Sequence, residues 1–385
     1  MLLIVILAAN GFAFSYLMIY IAAYLPQLGV PTPTVGLILG ADGLSMAVLA
    51  IPFGMLSDRR GRKWLLIVGS FGGAPIFLVF ALTTNSMAMV AAMVLGGVCE
   101  GTYLATVNAI IADQTTPENR DSAFTLSFII GGVGYGLGLV LPFFVPAMSD
   151  LLGITSLALH SDLLFLFCCL SLVLSFILYW GLRNIRDSVR ATGIPWRGKS
   201  TGVLLKFSGI NSLIGLGAGF IIPLIPTWFF LKFAVPDTYS GPLLAVANAT
   251  MGLGAVFSPR LAGKVGSVRA IVLTQGLSLV FMVALAFEGN VLAAATTYVI
   301  RAMLMNMSQP LQDSYLMSIV VPEQRGFASS VNSVIWRIPN SITTIAGGVI
   351  LYSGNYSLPF IIAGAFYAVE ISLFYPTFRN VKPLG

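Results

Sequence analysis

Twelve apolar runs of about twenty residues follow one another along the chain, each closed by a polar or Gly/Pro-rich break. They cover 2 to 24, 35 to 57, 64 to 83, 87 to 112, 122 to 147, 160 to 182, 207 to 231, 239 to 259, 267 to 287, 291 to 316, 327 to 352 and 357 to 378. Runs of that length match the thickness of a bilayer, so the pattern predicts an all-α membrane protein with 12 transmembrane helices. Pro223 and Pro226 fall inside the seventh run and are expected to kink or break it. The first run lacks a basic leader and passes straight into the polytopic pattern, so it is expected as a retained helix with at most a short extension before it.

Composition agrees with the pattern: 57% of residues are hydrophobic, only 9% are charged, and the mean hydropathy is +0.92. Cys99, Cys168 and Cys169 all lie inside apolar runs, where they act as small apolar residues and imply no disulfide or metal framework. With one histidine, His160, a His/Cys metal site and a Ser-His-Asp triad both lose most of their raw material. No nucleotide loop stands out either, so no cofactor and no enzymatic activity are expected. A membrane sensor would ordinarily append a soluble signalling domain, for which the chain has no room.

Charge sets the orientation. Of the 20 basic residues, 17 are placed on one side of the bundle, Lys232 falls in a loop on the other, and Arg301 and Arg337 fall within helices. The positive-inside rule therefore expects a multi-pass protein of the cell membrane with both termini in the cytoplasm. The net charge of +6 reads as topology and contact with anionic headgroups of the lipid bilayer rather than nucleic-acid binding.

The chain also repeats itself. Pro-Glu-x-Arg occurs at 117 to 120 and again 205 residues later, and SDRRGRK at 57 to 63 is echoed by SPRLAGK at 258 to 264. The basic, irregular stretch 183 to 206 separates the copies, so two pseudo-symmetric six-helix bundles are expected, 1 to 182 and 207 to 385. In such a plan the substrate site lies where the repeats meet, near the bilayer midplane.

The stretch GMLSDRRGRKWLL, 54 to 66, gathers five charges between two apolar runs. About six residues turn the chain there, and Gly61 supplies the backbone angles that a tight turn needs. Taken alone, the charges are explained by positive-inside anchoring. Gly54, Leu56, Asp58, Arg59, Gly61, Arg62 and Lys63, however, match the loop signature Gly-x-Leu-x-Asp-Arg-x-Gly-Arg-Lys, and with topology and repeat the whole chain resembles the major facilitator superfamily. More loosely it is similar to the drug/proton antiporter group, with departures. Met93 stands where that group usually has Arg, and Tyr135 replaces the Pro of its fifth-helix signature. The block that sugar porters carry after the sixth helix is missing.

The resemblance implies a secondary active transporter working by alternating access, a monomer, with a small-molecule substrate. It implies that Asp58 meets the N-terminus of the eleventh helix near Ser329 and Ser330 and holds an inner gate, with Arg59 or Arg62 paired to Asp113. Charged side chains inside a membrane cost roughly 2.5 to 3.5 kcal/mol each, so they usually face a cavity or a partner. Five are expected there: Asp42, Glu100, Arg301, Arg337 and Glu370. In this superfamily helices one, four, seven and ten line the cavity, which implies that Glu100 faces Arg301 and that Asp42 approaches Arg337. A carboxylate whose Arg partner withdraws takes up a proton, so Glu100 and then Asp42 are the proton-coupling candidates, unless the pairs are purely structural. Glu370, on the peripheral twelfth helix, is assigned to packing. Asn10, Tyr20, Tyr103, Asn108, Asn306, Gln309 and Trp336 are candidates for the substrate pathway beside Arg301 and Arg337. Export of a drug-like compound is the leading expectation. An organic-anion carrier using the two arginines as guanidinium forks is the alternative.

Overall fold

The computed structural model of the chain describes residues 2–113, 115, 117–183, 200–321 and 324–381, and within them it holds helices and no strands. A backbone inside lipid must satisfy its own hydrogen bonds, and the helix does so within each segment. Twelve long helices result. In the first sequence half they are α1 (Leu2–Ile19), α2 (Thr32–Arg60), α3 (Arg62–Leu82), α4 (Ser86–Asp113), α5 (Pro117–Val140) and α6 (Ser156–Leu182). In the second they are α7 (Thr201–Gly219), α8 (Asp237–Val265), α9 (Ser267–Phe287), α10 (Val291–Ile319), α11 (Arg325–Tyr352) and α12 (Leu358–Phe378). Eleven described stretches are apolar and long enough to cross a membrane, and α8, which carries the eighth expected span, makes the twelfth.

Three helices are interrupted. The seventh span breaks at the expected prolines: α7 stops at Gly219, a 3-10 turn covers Ile222–Leu224, and helix resumes over Ile225–Phe233. Lys232 accordingly lies in the last turn of that piece rather than in a loop, 5.0 Å from the centre of the Trp228 ring. The fifth span breaks in the same way at Leu141–Phe144 and continues as Val145–Leu152, whereas α1 runs through one π-helical turn, Tyr20–Tyr24, into Leu25–Gln27. The turn between the second and third spans is tighter than the six residues expected. Helix α2 reaches Arg60 and α3 starts at Arg62, leaving Gly61 alone at φ +99°, where only glycine is unstrained. Gly266, 205 residues on, sits between α8 and α9 at φ +86°.

The chain divides into two compact units that follow the sequence halves except at two short segments. The first unit holds 1–28, 37–192 and 236–242; the second holds 29–36, 193–235 and 243–385. Their internal packing repeats. Helix α1 packs on α5, and α3 on α4 and α6, in the first; α7 packs on α11, and α9 on α10 and α12, in the second. Small residues let these backbones meet: a Cβ on Gly138 would overlap the Phe12 carbonyl oxygen, and one on Gly219 would overlap that of Asn340.

Both exchanged segments use the same device. Gly36, at the start of α2, meets α11 so closely that a Cβ would stand 2.8 Å from the Thr344 carbonyl oxygen, and the Thr32 hydroxyl donates to Gly348 O at 2.8 Å. Gly241, 205 residues later, lies on α5, where a Cβ would overlap the Leu139 carbonyl oxygen. Elsewhere the outer faces are apolar: Phe128, Val133 and Leu137 of α5 and Leu166, Phe176 and Trp180 of α6 are all more than half exposed. A lipid solvent accounts for such faces.

Candidate functional site

Helix α10 places Gln309, Asp313 and Leu316 on one face, at spacings of four and three, and α11 does the same with Asn332 and Trp336, Arg337 lying beside them. With Asn211 of α7 these side chains line a cavity of about 440 Å³ within the second unit. That volume lies in the range of sites for small organic ligands. The wall is mixed. Asn211 Nδ2 donates to Asn332 Oδ1 at 3.3 Å, and the Gln309 amide points at the Asp313 carboxyl oxygens at 3.4 and 3.5 Å. Trp336 adds a flat apolar face, while Arg337 and Asp313 add opposite charges to the lining of one volume. Such a wall holds a flat organic body by its face and fixes its orientation through one or two polar substituents.

Three of the expected pathway residues, Gln309, Trp336 and Arg337, thus share one cavity. The others whose side chains are described are not among its lining residues. Arg301 is only 4% exposed, its Nη2 donating to the Tyr367 hydroxyl at 2.7 Å, so its guanidinium is held between α10 and α12 inside the second unit. Asn306 spends its amide on its own helix, donating to Ala302 O. In the first unit Tyr20 is buried against Tyr24 and Phe80, Tyr103 is half-buried against the cluster around Ile6, Leu66 and Ile110, and Asn10 is half-buried on α1.

Of the proton candidates, Asp42 is seated on α4: a Cβ on Gly97 would overlap the Asp42 carbonyl oxygen, and one on Gly96 would lie 3.0 Å from its Oδ1. Glu100 is half-buried one turn further along α4. Within the gate motif Lys63 Nζ donates to Arg183 O at 2.6 Å and so ties the start of α3 to the end of α6. The side chains of Gly54, Asp58, Arg59, Arg62, Asn108 and Asp113 lie outside the described residues.

Asp313 and Asn332 escaped the sequence reading. The signal was present, since Gln309 to Asp313 is one helical turn and the charge falls within the tenth apolar run. Glu370 is fully buried with neither carboxyl oxygen hydrogen-bonded, and Gln275 likewise has both amide atoms unpartnered. Gly364, six residues before Glu370 on α12, abuts Val283 and Leu279 of α9, the helix that carries Gln275. Among the described residues no group of three or more His, Cys, Asp or Glu is placed to hold a metal ion.

Two stretches, residues 3–338 and 207–384, match the family model of the Major Facilitator Superfamily. The chain belongs to this superfamily. A relative matching along almost its whole length is the multidrug resistance protein MdtG of Proteus mirabilis, 21% identical over 96% of this chain and 93% of that one. The class H tetracycline resistance protein of Pasteurella multocida is 25% identical over 76% of this chain and 72% of its own. The inner membrane transport protein YajR of Escherichia coli is 31% identical, but the match covers 38% of this chain and 33% of the length of YajR. Among solved structures, a bacterial homologue of the human lysosomal transporter Spinster, inward-facing and occupied, superposes with a TM-score of 0.74 at 15% identity, over 98% of this chain and 96% of that one. An auto-inhibited peptide transporter of the POT family gives 0.77 at 12% identity, over 100% of this chain and 98% of its own. At such identities these structures share the fold alone. The protein is a multi-pass membrane transporter.

Proposed function

We propose that this member of the superfamily exports a small organic, drug-like compound in exchange for protons, by alternating access, as a monomer in the cell membrane with both termini in the cytoplasm. The observation that carries this reading is the cavity of about 440 Å³, in which an indole face, an arginine, an aspartate and amides surround one volume. Relatives named for multidrug and tetracycline resistance support efflux over uptake. The basic residues crowded at one side of the helices support the orientation. Glu100 and Asp42 are the proposed proton carriers: carboxylates on adjoining helices of the first unit, in a setting where a charge is costly. Asp58, Arg59, Arg62 and Asp113 keep the gate role that the motif implies.

The test is binding to the purified protein of a panel comprising lipophilic cations, tetracycline and organic acids, in wild type and in Arg337→Gln, Asp313→Asn and Trp336→Ala. Loss of a charged partner inside the cavity is expected to weaken the preferred ligand at least about tenfold, equivalent to about 1.4 kcal/mol. Trp336→Ala should weaken cations and anions alike. Selective loss of organic acids in Arg337→Gln would favour the organic-anion reading. Binding unchanged in all three variants would remove the cavity from the pathway.

A further inference from the structure

We propose that the cavity formed where α8 and α10 end, α9 begins and α12 ends is a binding site for a phosphate group, carried either by an anionic lipid headgroup or by a soluble phosphate ester. The inference uses neither the substrate cavity nor the proton carriers of the reading above. The cavity measures about 640 Å³ and lies wholly within the second unit. That volume is ample for a small phosphate ester. Its polar wall comes from Ser267 and Arg269 of α9, Ser314 and Ser318 of α10, and Arg379 and Asn380 just past the end of α12. Tyr315 adds a rigid base: it belongs to the apolar cluster of Phe207, Phe374 and Phe378, and its hydroxyl donates to Phe378 O at 3.0 Å. That bond ties α10 to the end of α12. Arg379 lies 5.8 Å from the centre of the Tyr375 ring, which seats its guanidinium beside the same cavity.

The charge of this wall is one-sided. Among the described residues no carboxylate lines the cavity or pairs with either guanidinium, and both arginines are exposed. Two guanidinium forks with serine hydroxyls and an amide around them are donors suited to the oxygens of a phosphate. Arg269 is also placed against the helix dipole, since it adds a positive charge to the first turn of α9, whose end is already positive. A bound anion offsets that cost. The first N–H groups of α9 have no partner within the helix, and Gly266 before it has no side chain to cap them. A Cβ at Gly266 would meet nothing within 4 Å, so the approach to this turn is open. The repeat shows what the second half has lost. Four residues before Pro117 stands Asp113, whereas four residues before Pro322, in the other Pro-Glu-x-Arg copy, stands Ser318. Positive-inside anchoring accounts for basic residues at this end, but it calls for neither a concavity nor the loss of the acid. On the orientation proposed above, this end faces the cytoplasm, where inner-leaflet headgroups and soluble phosphates are both within reach.

The test uses the purified full chain in an uncharged detergent with two probes. Radiolabelled inorganic phosphate is followed by scintillation proximity, and phosphatidylglycerol adducts are counted against phosphatidylcholine adducts by native mass spectrometry. A saturable site for at least one probe is expected. Arg269→Gln and Arg379→Gln should each weaken it at least about tenfold, and Ser318→Asp, which restores an acid to the wall, should do the same. Lys206→Gln removes an equal charge from an exposed position on α7 outside the cavity and should leave binding unchanged. Phosphatidylglycerol binding that phosphate does not displace would support the site with a headgroup as its source. Phosphate binding that phosphatidylglycerol does not displace would support it with a soluble ester. No saturable site for either probe, cavity variants that bind like wild type, or an equal loss in Lys206→Gln would each overturn it.

Discussion

The two exchanged segments begin from the same backbone contact and end with different chemistry. Gly36 on α11 and Gly241 on α5 stand 205 residues apart and each allow a helix start to touch a neighbouring carbonyl. Four residues before each glycine the repeat diverges. Thr32 gives one neutral hydrogen bond to Gly348 O, while Asp237 gives a carboxylate to Gln27 and His160. Close packing is the common inheritance of the repeat, and the titratable group is an addition in one copy. A symmetric fold therefore acquires a buried carboxylate in one copy by changing a residue at a seam and leaving the seam in place.

The largest effect expected is on the glycines. Gly241→Ala should weaken docking of its segment by about 3 kcal/mol, because the Cβ overlaps backbone that cannot yield, and Gly36→Ala should cost about 1 kcal/mol, its Cβ being less crowded. Label distances across each seam, with thermal unfolding as control, measure both, and equal costs would break the comparison. Next comes Asp237→Ala at about 2 to 3 kcal/mol, since Gln27 and His160 lose a buried partner, against about 1 kcal/mol for Thr32→Ala. The comparison is sharpened by Thr32→Asp, which puts a carboxyl into the neutral seam without a histidine. It should cost more than Thr32→Ala, because the Gly348 carbonyl oxygen loses its donor and faces a carboxyl group instead. The smallest effect is expected from Glu370→Gln, neutral or stabilising by up to about 1 kcal/mol in thermal unfolding, because neither carboxyl oxygen has a partner to lose.

The twelve spans, the repeat and the tight turn at Gly61 were legible in the sequence because each rests on a local quantity: run length, spacing, or a residue suited to positive φ. The proline break after α7 was legible for the same reason, while the π-helical turn at Tyr20–Tyr24 has no such signature. The buried pair was not read. Asp237 follows Pro236 at a span edge and passes for a loop residue, and a lone His160 suggests neither a metal site nor a triad. Its partners come from helices 77 and more residues away, so pairing is a property of packing. Setting TPTVG at 32 to 36 beside DTYSG at 237 to 241 would have flagged the aspartate. Arg301 shows a second limit. A charge in an apolar run reads as a cavity residue, but Tyr367, which is fully buried on α12, holds it.

Proton-coupled export is tested most directly in proteoliposomes under an imposed pH gradient, with internal pH and substrate followed together in wild type and Glu100→Gln. Proton movement that requires substrate in wild type and is lost in Glu100→Gln is the expected result. Substrate movement without protons, or a variant indistinguishable from wild type, would contradict it.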